Sequence, residues 1–180
     1  MLQIEIKSTE IWDESNQMFI NVEGQTLKLE HSLISISKWE SKWHKSFLHS
    51  NEKTDEEILD YIKCMTLNNN VDPLVYRCLT VDNITQINEY INDPMTATHF
   101  SKELNGKKNR EIITSELIYY WMISLKIPVE FQKWHINRLI TLIRVCEIKN
   151  NPPKKMSRSD IMRRNAALNA ARRKQMNTKG

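Results

Sequence analysis

Apolar and polar residues alternate at the start of the chain. Leu2, Ile4 and Ile6 are separated by polar positions, the two-residue period of a half-buried strand. A second strand is read at Met18–Val22 and a third at Gln25–Glu30, where Leu27 and Leu29 share a face. Glu23-Gly24 offers a turn between those two, so they are expected to form a hairpin. The period then changes to that of a helix. Leu33, Ile36, Trp39 and Trp43 fall on one helical face behind Ser32, which is placed to cap it. Thr54-Asp55-Glu56-Glu57 is a capping-box pattern, opening a helix with Ile58, Leu59, Ile62 and Met65. Asp72-Pro73 is another helix start, because proline suits the first helical position. Thr80 caps a segment carrying Ile84, Ile87 and Ile91, which Asn92-Asp93-Pro94 ends. Leu104–Asn109 reads as an exposed polar loop.

The longest apolar patterns follow. Arg110–Lys126 and Glu130–Lys149 read as two helices parted by Pro128, a helical hairpin expected to build the core. Asn151-Pro152-Pro153 closes the domain, since two prolines favour an extended link. Ser157 then precedes an alanine- and arginine-rich helix running to Met176, whose thin apolar content leaves it marginal alone. The expected fold class is α+β and predominantly α-helical. It divides into a strand-rich unit (1–30), a helical core domain (31–150) and a projecting basic helical tail (151–180).

Charge sharpens that division. The 180-residue chain carries a net +4, but Lys149–Gly180 alone carries +9 and the other 148 residues carry −5. Such asymmetry points the tail at an anionic partner, a protein surface or, less favoured, nucleic acid; a tail that only confers solubility is the bland alternative. Lys154, Lys155, Arg158, Arg163, Arg164, Arg172, Arg173 and Lys174 would make that contact. Arg163-Arg164 and Arg172-Arg173-Lys174 point to partly different faces of a helix rather than forming one stripe.

Little in the chain carries recognisable chemistry. Three glycines exclude Gly-rich phosphate loops, and no GxSxG or Walker sequence occurs. Three widely spaced cysteines make neither a disulfide framework nor a zinc site and fit a reducing compartment. None of the five histidines pairs with another at metal-binding spacing, and His135 beside Trp134 reads as a packed residue. Asp55, Glu56, Glu57 and Asp60 read as a solvated first turn that favours the helix dipole. No apolar run approaches the roughly 20 residues that span a bilayer, and the alternating N-terminus is unlike a signal peptide. The expectation is a non-enzymatic protein without cofactor, metal or membrane contact. Trp39 and Trp43 read as core or interface anchors; with Lys38, Lys42 and Lys45 nearby, a nucleic-acid stacking platform is the lesser reading.

Five phrases stand together in order: LEHSLISISKWESKW (Leu29–Trp43), MTATHF (Met95–Phe100), REIITSELIYYWMISLKIP (Arg110–Pro128), EFQKWHINRLITLIRVC (Glu130–Cys146) and PPKKMSR (Pro152–Arg158). Together they resemble the tail assembly chaperones of long-tailed bacteriophages, over most of the chain from Leu29 to Arg173. The resemblance implies a non-catalytic assembly factor of the host cytoplasm that binds the long helical tape measure protein while the tail tube polymerises. It carries no catalytic or cofactor residues, and many such proteins also occur in a longer frameshifted form. A chaperone of this kind needs an apolar surface, for which Trp39, Trp43, Trp121, Met122 and Trp134 are candidates. The basic tail would engage acidic parts of the client or drive self-association. The alternatives are a structural component of the virion tail and a nucleic-acid-binding accessory protein acting through the tail.

Overall fold

A computed structural model describes residues 1–14, 16–49, 52–100, 111–150 and 157–177. It has two compact units, Met1–Cys146 and Glu147–Gly180. The α+β, mostly helical class expected from the sequence is the one observed.

The first unit opens with four strands, β1 (Leu2–Ile6), β2 (Thr9–Asp13), β3 (Met18–Val22) and β4 (Gln25–Leu29). Their pairing differs from the expected hairpin. β3 pairs with β2 and β4 with β1, both antiparallel. The register is continuous through the interruption, with Ile6 opposite Gln25 and Thr9 opposite Val22. The four strands are therefore one long ribbon that reverses between Asp13 and Met18 and is broken midway at Lys7-Ser8 and Glu23-Gly24. Gly24 serves that break by close approach rather than by turning the chain. A Cβ there would lie 2.8 Å from both the Ile6 carbonyl oxygen and the Ser8 nitrogen. The break also changes which positions face inward: Ile4, Ile6, Leu27 and Leu29 in the near half, then Val22 in the far half.

The helices begin with α1 (Leu33–Trp43). Ser32 and Ser35 close a capping box, which satisfies two orphan donors of the first turn. Leu33, Ile36 and Trp39 are fully buried, making α1 the centre of the core. In α2 (Asp55–Met65) the Thr54–Glu57 capping box forms as its spelling requires. A 3-10 turn at Pro73–Cys78 starts at Asp72, and α3 (Val81–Asn92) starts at Thr80 with Asn83 returning the bond.

Two expected helices are shorter. Among the described residues of the Arg110–Lys126 segment, helix is confined to α4 (Ser115–Ser124), capped by Thr114; Ile112 and Ile113 lie outside it and are exposed. The cause is a distant anchor. Glu40 of α1 is buried, and its Oε2 accepts from the Ser115 nitrogen at 2.7 Å while its Oε1 accepts from the Phe47 nitrogen at 2.8 Å. That bond holds the first residue of α4 against α1. The Glu130–Lys149 segment is split into a 3-10 turn (Val129–Lys133) and α5 (Ile136–Asn150). Between them the chain runs extended, where Ser32 and His135 form a bridge and the Ile136 nitrogen donates to the His31 carbonyl at 2.8 Å. The core is consequently not a hairpin of two long helices. It is one cluster drawn from β1, β3, β4, the 3-10 turn at Pro73–Cys78 and all of α1 to α5. In the second unit Ser157 caps α6 (Arg158–Met176), none of whose side chains is buried. The expected loop at Leu104–Asn109 lies outside the described residues.

Candidate docking groove

The apolar stripes of α2 and α3 leave a groove between them of about 310 Å³. Ile58 and Ile62, one turn apart, form one wall with Tyr61; Ile84, Ile87 and Ile91 form the other at helical spacing. Ile62 and Ile87 are buried and make the floor, whereas Ile58 is 37% exposed at the edge. Phe47 closes the lining, and Lys53 and Asn88 add its polar groups. The Lys53 ammonium lies 4.4 Å from the Phe47 ring centroid. Burial there lowers its pKa, against the pull of Glu57. Each stripe is visible in the sequence; that the two face each other across a gap is a tertiary fact the sequence does not spell.

The residues singled out for docking are dispersed. Trp39 is buried and donates through Nε1 to the Glu57 carbonyl at 2.9 Å. Trp43, half-buried, stacks on it at 6.2 Å and donates to Asp60 at 3.0 Å. Lys42 pairs with Asp60 and Lys45 with Glu57. The stacking platform is thus not formed, since one indole is inside and two of the lysines turn to carboxylates of α2. For the same reason Glu57 and Asp60 are not a solvated acidic face; Glu57 is buried. Its pKa is held below the carboxylate range by Lys45 and the Thr54 N–H. Met122 is buried in the core and Trp121 half-buried on α4. Trp134 is half-buried, stacked 4.1 Å from Phe131, with the Arg138 guanidinium 4.0 Å above its ring. Arg158, Arg163, Arg164, Arg172, Arg173 and Lys174 are all exposed on α6; Lys154 and Lys155 lie outside the described residues.

A buried polar spine joins the core elements. His31 Nδ1 shares a hydrogen bond with the Tyr61 hydroxyl, and the His31 and His135 rings meet edge to face at 5.0 Å. His135 Nε2 donates to the Tyr90 carbonyl at 3.0 Å, and its Nδ1 accepts from the Asn137 nitrogen at 3.3 Å. That pair of bonds fixes a neutral ring. The Tyr90 hydroxyl in turn donates to Glu30 at 2.6 Å. Burial, with His135 alongside, lowers the His31 pKa to about 3. Burial likewise lowers that of His135 and raises those of Tyr61 and Tyr90. The hydrogen bonds of this spine tie Glu30 and His31 to Tyr61, Tyr90, His135 and Asn137, so its role is to specify how the helices meet.

No family model, curated protein or solved structure matches this chain. Among the described residues no cluster of His, Cys, Asp or Glu could hold a metal ion. No helix among them is long and apolar enough to cross a membrane.

Proposed function

We propose that this protein is a non-catalytic assembly factor, a bacteriophage tail assembly chaperone of the host cytoplasm. In this reading it shields an amphipathic helical segment of the tape measure protein in the α2/α3 groove. The observation that carries the reading is the double row of isoleucines. Ile58 and Ile62 oppose Ile84, Ile87 and Ile91 at the spacing with which one helix packs on others. A client helix presenting apolar residues at i, i+3, i+4 and i+7 would fill that space, with Lys53 and Asn88 meeting its polar flank. The resemblance of the five ordered phrases supports the same role. The docking surface is moved accordingly from Trp39, Trp43, Trp121, Met122 and Trp134 to the groove.

The test is co-expression with the tape measure protein of the same phage, followed by affinity capture, with and without Pro152–Gly180. Soluble, captured tape measure supports the reading, and its loss on truncation assigns a share of the contact to the tail. A tape measure protein left insoluble and uncaptured by the full-length chain overturns it. A nucleic-acid accessory role rests on the exposed arginines of α6 and predicts DNA binding that falls steeply with salt.

A further inference from the structure

The far half of the ribbon carries an exposed aromatic face. Trp12 stands opposite Phe19, their rings edge to face at 5.0 Å, and they are 46% and 64% exposed. On the same face Glu10 stands opposite Asn21. Residues 8–27 contain four acids, Glu10, Asp13, Glu14 and Glu23, and no lysine or arginine. Two open aromatic faces in a wholly acidic stretch are suited to guanidinium groups, which stack on aromatic rings and pair with carboxylates.

The same chain supplies the complement. In α6, Ile161, Leu168, Arg172 and Met176 fall within about 80° of arc on one helix face. All four are exposed, and Arg173 flanks the stripe on one side. We infer that the Trp12/Phe19 face of one copy binds the Leu168–Met176 end of α6 on a second copy. Arg172 stacks on the aromatic pair while Arg173 meets the carboxylates of Glu10 and Glu14. Two different surfaces make this contact, so it is heterologous; assembly is concentration-dependent and ends in a closed ring or an open chain according to the rotation between copies. The contact does not involve the α2/α3 groove and stands whether or not the client reading holds.

The experiment is sedimentation velocity on the full-length protein with two charge-reversed variants. One is Glu10→Lys/Glu14→Lys, the other Arg172→Glu/Arg173→Glu. All four positions are exposed, and circular dichroism checks that each variant keeps its fold. The wild type should associate at low salt and dissociate at high salt. Each variant alone should associate about tenfold more weakly or less. An equimolar mixture should regain association, because the reversed ribbon of one now meets the reversed α6 of the other. A wild type that stays monomeric at low salt overturns the proposal. So does association of either variant at wild-type strength, or a mixture no stronger than its parts. Association that Trp12→Ser/Phe19→Ser leaves unchanged also overturns it, because the aromatic face then plays no part.

Discussion

Replacing Glu40 by glutamine should destabilise the fold by far more than its isosteric shape suggests. The carboxylate is 7% exposed, and each oxygen accepts one backbone N–H, from Phe47 at 2.8 Å and from Ser115 at 2.7 Å. Ser115 is fully buried and begins α4, so its N–H has no intrahelical acceptor and no water to replace the lost one. Glutamine keeps one oxygen and turns an NH2 group toward the other donor. The change removes a charge-assisted bond of about 1.5–3 kcal/mol and strands a buried N–H at roughly 1–3 kcal/mol. Because the two figures overlap, the expected loss is about 2–4 kcal/mol, a large fraction of a typical domain's stability. Glu40→Leu, which strands both donors, should lose more. Urea unfolding followed by far-UV circular dichroism measures it, with an unchanged slope identifying a native-state effect. Hydrogen exchange should show the Ser115 amide among the most accelerated. A Glu40→Gln protein within about 0.5 kcal/mol of wild type, a range usual for surface changes, would refute the claim that this carboxylate fixes the start of α4.

Three further outcomes follow from the same geometry. Because the folded-state pKa of His31 is lowered to about 3, the unfolded chain binds the extra proton, and stability present above pH 6.5 is lost as pH falls. The drop between pH 7 and pH 5 should be about 2 kcal/mol from His31, with His135 acting in the same direction, and His31→Phe should flatten it in urea titrations at the two pH values. Thr54→Ala removes the capping-box acceptor of α2 and should cost about 1 kcal/mol, read as a lowered melting temperature. Gly24→Ala forces a methyl against the backbone at Ile6 and Ser8, and should cost about 1–3 kcal/mol in the same assay.

What the sequence makes legible is what is decided locally. Ser32, Thr54, Thr80 and Ser157 each cap the helix that their spelling announces. The stripes of α1, α2 and α3 bury Ile36, Ile62 and Ile87 as their periods require. What it hides is decided across distance. The start of α4 depends on Glu40, 75 residues earlier, and the break before α5 depends on His31 and Tyr90. No proline or glycine marks either place. Glu23-Gly24 has a hairpin's composition, yet the chain uses its glycine to let two backbones pass closely, and the ribbon turns instead between Asp13 and Met18. The same limit applies to the groove: each isoleucine row is readable, but their apposition is not. Tryptophans attract attention as anchors, but an indole N–H that finds a buried acceptor, as Trp39 does at Glu57, marks a core residue.

Binding of a helical client in the α2/α3 groove can be read from capture of the tape measure protein on Ile58→Glu. Ile58 is 37% exposed at the groove's edge, so a carboxylate there can stay hydrated while the folded structure is kept. With the melting temperature unchanged, capture should fall about tenfold or more, the effect of a charge placed against an apolar helix face. Capture at the wild-type level by a folded Ile58→Glu protein would contradict the account.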